Sequence, residues 1–332
     1  MQQVDTLYYA FFALFLLLSL GGAALFTLST SKDLRTRVMF AATFLLSLVV
    51  ALAWYAGPAG VTSLPMVIGL LSLTMFFALV SFCYASYASG FNVFIISALL
   101  LMLCLSTAFG VHTIDFMASM AIGGTIGLIS NEKVFRLNSN KTKFKSGSRR
   151  GNLEIKRDIF QIAIGAGVMA AMLIFGIYSR TIVFAAIILG LIYSNVVSGS
   201  PDAPFGEFLH SMERGKTTFG LGAFYLAIGV TIILGMVANS QLALLGLIAL
   251  LFGDSAATIT GTLFGSIKLP HNKSKSLQGL LGYFAVVTVL GYFVIGIYSP
   301  LIGLVFAVVE SIRLHIDDNI AVALFTVVVS LI

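Results

Sequence analysis

Residues 244–279 read LLGLIALLFGDSAATITGTLFGSIKLPHNKSKSLQG. An apolar run passes into Asp254, continues through small residues, and ends in a short loop carrying Lys268, Lys273 and Lys275. About 20 apolar residues suffice to cross a bilayer as a helix. An acid inside such a run is costly unless it faces a cavity or finds partners, which makes Asp254 a functional candidate. The plainer alternative is an Asp that caps a helix ending near Phe252. Against it, Asp254, Thr258, Gly261 and Gly265 recur at helical spacing on one face. Gly253, Ala256, Ala257 and Gly261 leave room for another backbone or a ligand to approach closely.

The rest of the chain is of the same kind. It has 332 residues, 59% hydrophobic and 10% charged, with a mean hydropathy of +1.04. Soluble domains carry about 25% charged residues. The apolar runs are helix-length rather than short alternating strands, which excludes a barrel. The expected fold is therefore all-α: a polytopic integral membrane protein with about twelve transmembrane helices. The expected spans are 6–30, 36–57, 65–87, 91–110, 113–130, 158–178, 180–198, 217–237, 241–264, 277–298, 300–313 and 319–332. The first is too long for a signal-peptide core and has no basic region before it, so it reads as a retained helix. Cys83 and Cys104 lie in apolar runs and read as packing thiols.

Charge orients the chain. With the N-terminus outside and the sides alternating, every Lys and Arg except Arg180 falls on one face. The positive-inside rule makes that face cytoplasmic. The net charge of +6 is then matched to anionic lipid, not to nucleic acid. The sequons at Asn140 and Asn272 fall on the cytoplasmic side and are not expected to carry glycans.

The basic, Ser- and Asn-rich segment 131–157 separates an N-terminal five-helix block, 1–130, from a C-terminal domain, 158–332. In the first block His112 and Asp115 sit at an outer edge, and its role is not legible. The carboxylates inside or beside apolar spans belong to the second. Glu310 lies near the end of one span, and Asp317, Asp318 and Asn319 precede the last. Such hard oxygen ligands suit Mg²⁺, which needs one or two carboxylates besides substrate phosphates. Asp and Asn there equally suit a helix N-cap. Lys268, Lys273 and Lys275, with His271, Ser274, Ser276 and the N-terminus of the helix opening at Leu277, suit phosphate oxygens. Glu213, Arg214 and Lys216 read as topology determinants. Gly215-Lys216-Thr217 is no P-loop, because His210 stands where the motif needs Gly.

Gly253, Asp254, Ala256, Gly261, Gly265, Lys268, Pro270, Lys275, Ser276 and Gly279, followed by Glu310 and Asp317-Asp318-Asn319, resemble the signature of the CTP-dependent lipid-alcohol kinases. These comprise dolichol kinase, phytol kinase and the CTP-dependent diacylglycerol kinase, in a superfamily shared with phosphatidate cytidylyltransferase. The resemblance covers about residues 150–332. Lys156 and Arg157 match the family's basic pair. The chain departs from the pattern at Gln278, where the family has Glu, at Gln161, where it often has His, and after Asn319, where most relatives have Pro.

The resemblance implies phosphoryl transfer from CTP to an isoprenoid or other membrane alcohol at the cytoplasmic face, with Mg²⁺. Asp254, Asp317 and Asp318 would be catalytic and, with Glu310, would hold the metal. Lys268, Lys273, Lys275, Ser276 and Asn319 would hold the nucleotide. Two other readings stay open: a cytidylyltransferase making a CDP-lipid, and a secondary transporter whose intramembrane acids carry protons. The first lacks its family's KD and HGG-x-DR-x-D pattern, and for the second the two halves are dissimilar. The oligomeric state is not legible.

Overall fold

The computed structural model describes residues 150–199, 204–212, 221–314 and 316–331, with scattered helical positions at 42, 45, 46, 49, 50, 53, 117, 118, 121–126 and 129. The expected spans 6–30, 65–87 and 91–110, with Cys83, Cys104, His112, Asp115, Glu213, Arg214 and Lys216, lie outside the described residues, and only scattered positions of the expected span 36–57 are described. Among the described residues the regular elements are helices and no strand forms.

In chain order these are α1 (Arg150–Phe175), α2 (Ser179–Gly199), α3 (Gly206–Ser211), α4 (Leu221–Met236), α5 (Ser240–Ile248), α6 (Asp254–Phe264), α7 (Leu277–Ile295), α8 (Ser299–Ser311) and α9 (Asp318–Leu331). A π-helical turn, Ala249–Gly253, joins α5 to α6 without a break. Helix therefore runs from Ser240 to Phe264, and Asp254 does not cap a helix ending at Phe252. Glu154–Phe175, Ser240–Phe264 and Leu277–Ser311 are long and apolar enough to cross a membrane. The third is a hairpin, folded at Gly296–Tyr298.

The chain divides into two compact units. One holds Met1–Phe144, Thr181–His210 and Arg214–Phe224; the other holds Lys145–Arg180, Ser211–Glu213 and Tyr225–Ile332. In the first, the His210 ring lies 3.2 Å from the Val197 carbonyl. The second holds the candidate residues. There α7 packs on α8 and α6, α6 packs on α1, and α9 packs on α8 and α5.

Local chemistry sets the helix ends. The Asn239 side chain accepts from the N–H groups of Gln241 and Leu242 and caps α5. Ser276 caps α7 through the N–H of Gly279, and Asp317 caps α9 through the N–H of Asn319. Hydroxyls inside the apolar helices bond back to the preceding turn, as Thr231, Ser255, Thr260 and Thr326 do. Such bonds satisfy polar groups where water is excluded.

The same four residues recur at two helix junctions. Gly176-Ile177-Tyr178-Ser179 joins α1 to α2, and Gly296-Ile297-Tyr298-Ser299 joins α7 to α8. Both glycines take positive φ, +51° and +61°, which a Cβ would penalise. Both serines are buried and bond back to carbonyls, Ser179 to Gly176 and Ser299 to Thr288. Tyr178 and Tyr298 point outward, as interfacial tyrosines do. Arg180, the base that topology sets apart, donates to the carbonyls of Val237 and Ala238 just past the end of α4.

Small residues set the approach of α6 to α7. A Cβ at Gly253 would stand 2.9 Å from Cε2 and Cζ of Tyr283 and 2.8 Å from Val287. Gly261 lies against Gly279 and the Ser276 hydroxyl. Gly253→Ala is thus expected to destabilise the helix pair by about 1–3 kcal/mol through overpacking. Gly167→Ala, where a Cβ meets nothing within 4 Å, is expected to be neutral or mildly stabilising. Melting curves of the two variants in detergent check this.

Candidate functional site

The site is assembled around the Lys275 ammonium. Its three N–H donors meet three acceptors: Glu310 Oε1 at 2.5 Å, the Glu310 carbonyl at 2.5 Å and Asp318 Oδ2 at 2.7 Å. A lysine ammonium has three donors, so Lys275 is saturated. Glu310 sits in the last turn of α8 and is 6% exposed; Asp318 opens α9 and is 44% exposed. Burial alone would push the Lys275 pKa down, but the two carboxylates outweigh it and hold the pKa above the ordinary lysine value.

The loop that carries Lys275 is ordered by its own polar groups. Leu269 N–H donates to the Lys275 carbonyl and Leu277 N–H to the Ile267 carbonyl, so Lys268 and Ser276 face each other as an antiparallel bridge. The Asn272 carboxamide accepts from the Ser274 N–H and hydroxyl, and donates to the Ser311 carbonyl. His271 lies 3.0 Å from the Ser311 hydroxyl. The loop is thereby pinned to the end of α8, beside Glu310. Asn272, in the second sequon, is buried with its amide engaged.

Asp254 lies deeper. Ten residues of α6 follow it, about 15 Å of helix. Gln161 Nε2, from α1, donates to Asp254 Oδ2 at 3.3 Å and to the Leu250 carbonyl at 3.3 Å. Leu250 belongs to the π turn, where regular i to i−4 bonding is interrupted. The charges of Asp318, Lys275 and Arg157 all act on Asp254. The site thus draws on α1, α6, the lysine loop, α8 and α9.

The remaining expected residues divide. Asp317 Oδ1 accepts from both the N–H and Nδ2 of Asn319, so the capping reading holds for Asp317. Burial raises the Asp317 pKa to about 6, opposed by the Asn319 hydrogen bonds. Asn319 Oδ1 is buried and accepts no hydrogen bond among the described residues. Ser276 is buried and its hydroxyl is spent on the α7 cap. Lys268 and Lys273 are exposed on the loop and do not join the Lys275 cluster.

Gln161, Arg157 and Tyr283 belong to the constellation although their sequence signal was slight. Gln161 and Arg157 were legible only as family positions. Tyr283 looked like one more aromatic in an apolar helix.

Among the described residues no three His, Cys, Asp or Glu side chains converge to hold a metal ion unaided. Magnesium does not require that, since it keeps water and substrate phosphates in its shell. The orphaned Asn319 Oδ1 beside Asp318 is an unused hard acceptor at the right place. The oxygens of Asp318 and Glu310 already share a cation, the ammonium. The donor set fits a divalent ion bound jointly with phosphate.

Comparison with known proteins agrees in part. The chain is 27% identical over 169 residues to an uncharacterized protein of Methanocaldococcus jannaschii, covering 50% of this chain and 87% of that one. It is 30% identical over 125 residues to a probable chloroplastic phytol kinase of Triticum aestivum, covering 32% of this chain and 42% of the wheat protein. The chain thus spans less than half the length of the wheat relative. No family model and no solved structure matches.

Two outcomes follow from this geometry. Lys275→Met leaves the buried Glu310 without its cation and is expected to destabilise the protein by about 3–5 kcal/mol. Added Mg²⁺ or Mn²⁺ is expected to recover part of that loss in the variant and less in the wild type, read as melting temperature with and without chelator. For Asp317, the folded pKa of about 6 stands above the ordinary 3.8. The charged form is therefore disfavoured by folding, and stability drains away as pH rises through 6. With chelator present, Asp317→Asn, which keeps a cap, is expected to match the wild type at pH 4 and to melt higher at pH 7.5.

Proposed function

We propose that this protein is a membrane lipid-alcohol kinase that transfers the γ-phosphoryl group of CTP to an isoprenoid alcohol of the dolichol/polyprenol or phytol/geranylgeraniol type. The observation that carries the reading is the meeting of Glu310 and Asp318, from two helices, on the Lys275 ammonium, with the buried Asp254 held by Gln161 within reach of their charges. The similarity to a probable phytol kinase supports it.

The proposed topology has about twelve spans, with the N-terminus outside and the site on the cytoplasmic face. It is supported by the contacts of Arg180 with the end of α4 and by the paired Gly-Ile-Tyr-Ser turns. All of these lie at the ends that the topology assigns to the outer face.

Phosphoryl transfer asks for positioning and charge neutralisation rather than covalent help. The alcohol oxygen would attack the γ-phosphorus, the bond to the β-phosphate oxygen would break, CDP would leave, and the hydroxyl proton would pass to a carboxylate. Lys275 would hold Glu310 and Asp318 in place, while Lys268 and Lys273, exposed on the same loop, would supply point charges at the phosphates. Asp318, Glu310 and Asn319 would hold Mg²⁺, which would supply charge neutralisation for the phosphates. Asp254, held by Gln161, would orient the acceptor hydroxyl and take its proton. The lipid tail remains in the bilayer while the nucleotide arrives from water.

Membranes containing the protein, γ-labelled CTP, Mg²⁺ and a panel of phytol, geranylgeraniol and polyprenol test the proposal. Labelled lipid and released CDP are expected, with at least a hundredfold loss in Asp254→Asn, the order expected for a residue that positions and deprotonates the nucleophile. Pyrophosphate release would indicate a CDP-lipid product instead. No label in any alcohol would overturn the kinase reading.

A further inference from the structure

Tyr283 is fully buried in α7, 0% exposed. Its hydroxyl makes no hydrogen bond among the described residues. A buried phenol normally finds a partner, and an unpaired one is costly to keep. Its position accounts for it. A Cβ at Gly253 would stand 2.9 Å from the ring Cζ, the atom that bears the hydroxyl. The phenol therefore ends beside the Gly253-Asp254 step. The charges of Glu310, Asp254 and Asp318 all act on it, yet none of the three accepts its proton.

Depth narrows the ligand. Tyr283 lies six residues into α7, about 9 Å from its start, on the apolar side of the lysine loop. The negative charges of Glu310, Asp254 and Asp318 act on it, so a phosphate oxygen is disfavoured there. A neutral hydroxyl is not. An alcohol has one proton to give and lone pairs to receive, and the two groups here are complementary to it. Gln161 engages Asp254 at Oδ2 alone, which leaves Oδ1 to accept the alcohol proton, and the Tyr283 O–H can donate to the alcohol oxygen.

We propose that Tyr283 is a substrate-orienting residue, whose hydroxyl donates to the oxygen of a membrane alcohol held against Asp254. The proposal rests on the kinase reading for its substrate class, but it is tested by binding as well as by turnover. Tyr283→Phe keeps the ring and removes only the donor. Binding of tritiated phytol to the full chain in detergent is compared with binding of phytane, its hydrocarbon, and of CTP.

Phytol affinity is expected to fall about tenfold, the worth of one hydrogen bond, with phytane and CTP unchanged. The ligand-free melting temperature is expected to be equal or higher, because an unpaired buried group has been removed. Unchanged phytol binding, or an equal loss for CTP, would overturn the proposal. Phytol bound through Tyr283 without label transfer from CTP would sustain it and overturn the kinase reading instead.

Discussion

One ammonium holds the site together. Lys275 meets Glu310 and Asp318 at 2.5 and 2.7 Å, and these residues come from two helices that share no local sequence. Glu310 is buried at the end of an apolar helix, where a lone carboxylate would be expensive. The loop from Gly265 to Ser276 is folded so that the base arrives there: the Lys268–Ser276 bridge turns the chain, and Asn272 and His271 fasten it to Ser311. The same ammonium that stabilises the acids shares their oxygens with any divalent ion. Stability and ligand binding at this site are thus different uses of one set of lone pairs.

The site has two strata, and helix depth separates them. Glu310, Asp318 and Asn319 lie at the ends of α8 and α9, and Lys275 reaches them from the loop before α7. Asp254, Gln161 and Tyr283 lie further along α6, α1 and α7, among apolar residues. The strata are joined through space, since Asp254 and Tyr283 both feel the charges of the outer group. Small residues make the join possible. Gly253 admits the Tyr283 ring, and Gly261 admits Gly279 and the Ser276 cap. The proposed reaction, between a water-borne phosphate donor and a bilayer-borne hydroxyl, would use one stratum for each phase.

Much of the helical frame was legible in the sequence. The expected spans 241–264, 277–298, 300–313 and 319–332 coincide with observed helices to within three residues, because apolar runs there end at Gly, Pro or charged residues. The expectation failed where hydropathy and helix part company. The helix expected to begin at 158 begins at Arg150, since a helix can run on through basic residues beyond an apolar core. The π turn at Ala249–Gly253 has no residue signature. Asp254, Glu310 and Asp318 stood out because acids in or beside apolar spans are rare. Tyr283 did not, because an aromatic in an apolar helix is ordinary until its hydroxyl is found unpaired.

The two glutamines that depart from the family pattern are explained by what they bond. Gln278 uses both ends of its carboxamide: Oε1 accepts from the Ile267 N–H, and Nε2 donates to the Ser266 hydroxyl at 2.7 Å. A glutamate could accept the first bond but would reverse the second, and would add a charge beside the loop. Gln161 donates to the Leu250 carbonyl and to Asp254 together. A carboxamide does this at every pH, whereas an imidazole that gave its proton to Asp254 would vary with its own titration. Both amides make their hydrogen bonds without adding a titrating group at their positions. With four acids and one fully engaged lysine close by, neutral amides are the partners that position the backbone and the central carboxylate without altering the charge balance.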